Sequence, residues 1–394
     1  MLDLMTPEAR ANPYPLYAEL RQTGIRQVEP GGMWAVSRYD DVVAVMKEPR
    51  RFSSAGLGQG FLPPWLSRNP VTESLVMKDP PVHTQLRARV SRAFGPAALA
   101  VLEPRIRALS HELAEQLLRQ EGPVDFMAHF AQRLPVSVLG LLFGLEPSQY
   151  PRLKEWADDL VNLPAGRHSL EEQLRVRENL VSLERCFEEL LHARRQSPGA
   201  DLISELLRPD AGGSALSHDE LMSFLFALLP AGIETTVYLL ANSMVVLSEH
   251  PQERARVLAN PSLLPQLLEE VLRFEPPGHS SLRLVTEDTV LSGVHLPRGS
   301  IVLVLLASAL RDERHFPQAG QFLMERERAS HLAFGHGIHY CLGALLARLE
   351  ARLGLEALFS RLQDFSRASP ELHWSPSLIA RGPLVLPLQL IPRR

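Results

Sequence analysis

The stretch Phe334-Gly335-His336-Gly337-Ile338-His339-Tyr340-Cys341-Leu342-Gly343 leads straight into a helical pattern, Ala344-Leu345-Leu346-Ala347-Arg348-Leu349-Glu350. A cysteine at a helix start lies beside unpaired amide N–H groups and the positive end of the helix dipole. Both favour the thiolate, the form that ligates a metal. Gly335, Gly337 and Gly343 permit a tight loop and let the backbone pass close to a flat partner. Taken alone, Cys341 also fits a small buried residue, a nucleophile or a zinc ligand. Zinc would want further Cys or clustered His at ligand spacing, and a second Cys nearby is missing.

Around this loop the chain has ordinary globular composition. Its 394 residues are 45% hydrophobic and 22% charged, enough for one large core or two domains. The 41 Lys and Arg against 45 Asp and Glu, a formal charge of -4, lack the basic excess that phosphate neutralisation favours, so no nucleic-acid partner is expected. Cys186 and Cys341 lie in different contexts and suggest no disulfide framework, which fits a reducing, cytoplasmic compartment. The first residues, Met1 to Glu8, carry neither the basic start nor the apolar run of a signal or anchor. Leu221 to Leu247 is apolar and long enough to span a bilayer. Glu234 near its middle would cost about 3 kcal/mol in lipid, and Pro230 and Gly232 interrupt it. We expect the buried axis of a soluble protein and no membrane span.

The periodicity predicts a mainly α fold with a smaller β region. Met33 to Val36 reads as a strand and Tyr39 to Met46 as a helix. From about Phe52 to Pro81, Gly and Pro punctuate a loop that carries Phe61, Leu62, Trp65 and Leu66, the composition of a lid or binding loop. Thr84 to Leu207 is helical nearly throughout. Ser217-His218-Asp219-Glu220 is a capping box opening the apolar helix, which runs to about Glu249. After Pro276 short β segments follow, then a helix from Cys341 to about Leu362, and Pro383 to Leu388 as edge strands. The β-rich parts are thus about 1–60, 280–305 and 370–394, with a helical remainder.

The cysteine loop resembles the ligand loop of the cytochrome P-450 family, Phe-x-x-Gly-x-x-x-Cys-x-Gly, whose fixed positions are met by Phe334, Gly337, Cys341 and Gly343. Other family motifs occur in the expected order. Glu270-Val271-Leu272-Arg273 resembles the Glu-x-x-Arg pair, able to join on one helix face, with Arg326 as the third member of that structural network. Ala231-Gly232-Ile233-Glu234-Thr235-Thr236, in the middle of the apolar helix, is similar to the oxygen-binding segment. Ala231 and Gly232 would widen the helix where dioxygen binds, Thr235 would hydrogen-bond the oxygen as it is reduced, and Glu234 would relay protons. Pro230 departs from the pattern and should kink the helix more than glycine alone. His83 and Arg87, four apart on one face of a helix start, resemble the His-x-x-x-Arg propionate clamp, and Arg283 and His339 match the two remaining propionate positions.

The resemblance runs from Asn12-Pro13-Tyr14-Pro15 to Arg381-Gly382. It implies a single haem-containing domain over residues 1–394, with haem b (iron protoporphyrin IX) held on Cys341, Phe334 and Gly343 of the ligand loop. It implies a monooxygenase that puts one atom of O2 into an apolar small molecule by hydroxylation or epoxidation. Electrons would come ultimately from NAD(P)H through separate proteins, a ferredoxin with its reductase or a flavodoxin. The pocket would include Phe61, Leu62, Trp65, Leu228, Ala231, His279, Ser280 and Ile379, with His279 and Ser280 able to orient one polar group. Arg89, Arg92 and Arg348 are candidate docking cations. Oxidative coupling, desaturation and peroxide-driven oxidation are alternative chemistries. A haem-binding sensor or carrier is a non-enzymatic one, and Glu234 with Thr235 argues against it, since a carrier has no use for proton delivery.

Overall fold

The structure, a computed structural model, describes residues 1–163, 168–209, 213–326 and 331–393, without the side chains of Gln59 and Phe61. The chain gathers into two compact units. One comprises Met1–Phe52, Leu102–Leu134 and Glu234–Arg394, the other Ser53–Val101 and Pro135–Ile233.

The first unit holds the sheets. Its larger sheet orders Leu2–Asp3, Arg26–Glu29, Met33–Val36, Ile301–Val304, Ser281–Val285 and Phe52–Ser53. Met33–Val36 runs parallel to Ile301–Val304, with Trp34 opposite Val302, and Ser281–Val285 lies antiparallel on the other side, with Arg283 opposite Val302. Ala35, Val36 and Val302 to Val304 are fully buried, as central strands covered on both faces should be. The β-rich reading of the N-terminus needs correcting, because helices Pro7–Ala11, Tyr14–Thr23 and Tyr39–Lys47 separate its strands. Tyr17 and Leu20, one helical turn apart, bury the face of the second of these.

A second correction concerns the C-terminus. Pro387–Pro392 is the middle strand of a three-stranded sheet, between Leu362–Arg367 and Val124–Asp125, and not an edge. Its prolines stand at the two ends, where a missing N–H removes no interior rung.

The second unit is helical. Its long loop is built of short 3-10 turns, Ala55–Phe61, Pro70–Glu73 and Leu75–Met77. The Asp79 carboxylate anchors the loop's start by accepting from the Ser53 hydroxyl at 2.5 Å and the Ser54 N–H at 3.1 Å. Helices Val82–Ser91, Tyr150–Asn162, Leu170–Gln196 and Leu202–Leu207 follow. The ring of Phe187 packs edge-on at 5.5 Å against both Phe143 and Phe226. The expected break at Pro164 lies outside the described residues.

The apolar helix is His218–Glu249, 32 residues, uninterrupted by Pro230. Its capping box is present, with the Ser217 N–H donating to Glu220 at 2.7 Å and the Glu220 N–H to the Ser217 hydroxyl at 3.2 Å. By length and composition it could cross a membrane, yet 67% of its most apolar window is buried inside the protein. That burial is what a core helix shows.

Candidate active site

The cysteine loop is a closed turn. The Cys341 N–H donates to the Phe334 carbonyl at 2.9 Å, and Gly335 N–H to that of Leu332 at 2.9 Å. Gly337 sits at φ +68°, and a Cβ there would stand 2.5 Å from the carbonyl oxygen of Met46. The loop therefore rests directly on the backbone at the end of helix Tyr39–Lys47. The following helix is Ala344–Phe359 with Gly343 as its N-cap, so Cys341 stands just ahead of the first turn and is exposed.

A second support comes from beside the loop. Arg348 pairs with Glu269 through two contacts of 2.6 and 2.9 Å, and His331 approaches the same carboxylate at 2.9 Å. The Arg348 guanidinium lies 4.3 Å from the centre of the Phe334 ring, a cation–π contact. Burial would raise the Glu269 carboxyl, but the hydrogen bonds and charges of Arg348 and His331 outweigh it and hold the pKa at about 2. Arg348, expected as a docking cation, is thus engaged in fixing the loop. Arg89 is likewise bound to Glu220 at 3.3 Å and Ser214 at 2.9 Å, whereas Arg92, paired with Glu205 at 2.6 Å, stays half exposed.

The Glu-x-x-Arg pair forms as expected on helix Leu264–Phe274. Glu270 and Arg273 meet twice, at 2.8 and 2.7 Å, both buried. Arg273 also donates to the carbonyls of Leu310, Ala319 and Gln321 at 2.8 to 3.1 Å. Arg326 reaches both Glu270 oxygens at 3.3 Å, and the Leu323 N–H donates to one at 2.9 Å. Each charged group is paired or hydrogen-bonded, which is what makes burying them tolerable. The network fixes the chain leading toward the cysteine loop.

Can these residues hold a haem? Among the described residues no three His, Cys, Asp or Glu gather around a metal position. A lone cysteine ligand suits iron in a porphyrin, which brings its other ligands with it. The glycines agree. Gly337 is required by Met46, but a Cβ on Gly343 would meet nothing within 4 Å, and one on Gly232 only the Leu139 side chain at 3.7 Å. Among the described residues nothing demands glycine at those two places, which leaves space for a flat group to pass close. The donor set and the cradle both fit haem.

On the long helix Leu228 is half-buried while Ala231 and Thr235 are exposed, although their neighbours Leu229, Ile233 and Thr236 are buried. The spacing places these three on one face, so the core helix carries one accessible stripe. Glu234, beside it, is half-buried.

The propionate candidates divide between the units. His83, 2% exposed, and Arg87 share a face of helix Val82–Ser91 in one. Burial, reinforced by the Arg87 charge, pushes the His83 imidazole below its ordinary pKa. Arg283 and His339 belong to the other. Arg283 is buried in strand Ser281–Val285 and donates to the Ser281 hydroxyl at 2.8 Å and the Leu282 carbonyl at 2.7 Å.

Two pocket assignments need correcting. His279, expected to orient substrate, is 3% exposed, and its ring faces the Tyr17 hydroxyl at 3.3 Å and Glu275 at 3.7 Å. Ser280 gives its hydroxyl to the Leu378 carbonyl at 2.8 Å. Both serve internal structure because each sits where backbone and buried charge need partners. Of the others, Leu62 and Ile379 are exposed, and Trp65 packs on His168 with ring centres 5.3 Å apart. The Phe61 side chain lies outside the described residues. The sequence reading missed the support from Met46 and the Arg348–Glu269 pair. The run Glu269-Glu270 was the available signal, since two adjacent acids on an amphipathic helix must find two separate partners.

Comparison with known proteins adds independent evidence. The cytochrome P-450 family model matches residues 26–371. The chain is 36% identical to the monooxygenase PikC of Streptomyces venezuelae, over 96% of this chain and 91% of that protein. It is 34% identical to the vitamin D(3) 25-hydroxylase of Pseudonocardia autotrophica, over 99% and 97%. Its fold is similar to the solved structure of CYP109Q5 from Chondromyces apiculatus, with a TM-score of 0.91 at 39% identity, covering 100% of this chain and 98% of that one. The chain belongs to the cytochrome P-450 family and is a haem- and O2-using oxidoreductase, a monooxygenase of the bacterial type.

Proposed function

We propose that this enzyme inserts one atom of O2 into a C–H bond or alkene of an apolar small molecule, within one haem domain spanning the chain. The second oxygen atom leaves as water after two electrons and two protons have been taken up. The observation that carries this reading is the accessible stripe of Ala231 and Thr235, beside Glu234, on a helix otherwise committed to the core.

The residues that would hold haem b are Cys341, with Phe334 and Gly343 of the same loop, and His83, Arg87, Arg283 and His339 toward its propionates. When bound, the haem supplies oxygen activation, and a thiolate ligand favours O–O cleavage by donating electron density. Cys341 keeps that role by remaining deprotonated, helped by the amide groups at the start of helix Ala344–Phe359. Glu234 takes protons from solvent and Thr235 holds the last one at its hydroxyl, so that protons arrive singly at the reacting oxygen. Leu228 and Ala231 exclude water from that face, and Ile379, Leu62 and Trp65 are further apolar candidates for contact with the substrate. Electrons come from NAD(P)H through a ferredoxin and its reductase, or a flavodoxin, in the cytoplasm. The relative that hydroxylates vitamin D(3) supports a substrate that is large and apolar.

Thr235→Ala tests the assignment. With NAD(P)H and a surrogate redox pair, the variant should bind haem normally and consume O2 at a comparable rate, while hydrogen peroxide replaces most of the organic product. Product formed per NAD(P)H consumed at the wild-type ratio would refute the proton-delivery role.

A further inference from the structure

The stripe on the long helix continues beyond Thr235 at the same spacing into Tyr238 and Asn242, 9% and 0% exposed. Both are locked to one corner of the chain, Arg381-Gly382. The Asn242 side-chain amide donates to the Glu275 carbonyl at 3.0 Å and to the Arg381 carbonyl at 3.1 Å. A Cβ on Gly382 would stand 2.0 Å from the Tyr238 ring, so the ring occupies the space any other residue would need.

Arg381 is itself buried, 6% exposed, and hydrogen-bonds through all three of its side-chain nitrogens. Its Nε donates to Glu275 at 3.0 Å, Nη1 to the Arg10 carbonyl at 2.6 Å and Nη2 to the Ala11 carbonyl at 2.8 Å. The Trp374 ring lies 3.7 Å beneath the guanidinium. From this corner the backbone leads back to Ile379, 42% exposed, whose carbonyl accepts from the N–H groups of His279 at 2.7 Å and Ser280 at 3.3 Å. The Ser280 hydroxyl takes the Leu378 carbonyl. Ile379 is therefore an apolar tip on a segment tied at both ends, one of them to the helix that carries Thr235.

We propose that Asn242 and the Arg381–Glu275 pair are positioning residues that set the offset between Ile379 and the turn bearing Thr235, and thereby decide which carbon of the substrate is oxidised. This rests on the reading that Ile379 faces the substrate. None of the three need touch it. A displacement on the order of 1 Å at the tip is enough to exchange one reacting position for another, and a buried, hydrogen-bonded clamp holds the tip more tightly than a solvated loop would.

The test uses the full-length haem enzyme, with vitamin D(3) and dodecanoate as probes because each offers many inequivalent C–H positions. Asn242→Leu, close in size but unable to donate, is compared with wild type in two measurements: hydrogen exchange across residues 374–382, and the ratio of oxidation products. We expect exchange there to speed up and the product ratio to shift several-fold, with the carbon monoxide spectrum of the reduced protein unchanged. Unchanged exchange overturns the clamp. Faster exchange with an unmoved product ratio overturns the link to regiochemistry, and traces the failure to the placement of Ile379 beside the substrate. Should Asn242→Leu not fold, Arg381→Lys is read by the same two measurements. It keeps a charge for Glu275 and loses the donors to Arg10 and Ala11.

Discussion

Gly337 answers two demands at once, a left-handed backbone at φ +68° and the carbonyl of Met46 lying where a side chain would begin. An alanine there pays about 1–2 kcal/mol for the conformation alone, before the loop lifts off its support. Gly337→Ala should lower the melting temperature and weaken haem retention, while Gly343→Ala, with open space around it, should leave the stability of the haem-free protein unchanged and impair only haem binding. Thermal unfolding of both variants with and without haem checks this. Equal losses in the haem-free state would contradict it. At this scale the sequence announced which glycines matter but not why, since Met46 is nearly three hundred positions away in the chain. Cys341, Glu270 and Arg273 were legible because their motif spacing is local. Arg348 was misread because a charged side chain is assumed to face water until its buried partner, here Glu269, is seen, and His279, read as a pocket residue, because the Tyr17 hydroxyl that engages its ring is remote in sequence.

Among elements, helix Ala344–Phe359, which follows the cysteine loop, carries a buried acid. Glu350 is 3% exposed, and among the described residues its Oε2 finds no hydrogen-bond partner. Burial raises its carboxyl well above the usual carboxylate range. A raised folded pKa means that the folded protein holds this proton more firmly than the unfolded chain does. The resulting contribution is full below the ordinary value of 4.5 and is lost as pH rises from there toward the folded pKa. Glu350→Gln, similar in shape and never charged, should remove that decline. The variant should gain on wild type as the pH is raised above the ordinary carboxylate range, on the order of 1 kcal/mol for each pH step over which only the unfolded chain has lost the proton. Denaturant unfolding from mildly acid to neutral solution decides it, and parallel pH profiles for the two proteins would count against a neutral buried Glu350. The long helix was more fully legible than this one. Its capping box, its apolar run and the misfit polar segment Glu234-Thr235 are all local signals, and Pro230 fell within it without ending it. The C-terminal strand was legible as a strand but not as a central one, because proline content speaks of missing donors and not of which neighbours a strand finds.

For the whole molecule, the alternation of helical and β segments was enough to give a mainly α fold with a small β region, and the motif order was enough to give the family. The division into two interleaved compact units was not readable, because each unit is assembled from segments far apart in the chain and periodicity reports only on near neighbours. All the functional assignments converge on Cys341 as the thiolate ligand of a haem. The direct measurement is the absorption spectrum of the haem-loaded protein, reduced and saturated with carbon monoxide, for wild type and for Cys341→Ser. The account predicts the strongly red-shifted Soret band of a thiolate-ligated iron in the wild type and its disappearance in the variant. A wild-type band at the position given by histidine-ligated haem, or a red-shifted band that survives Cys341→Ser, would contradict it.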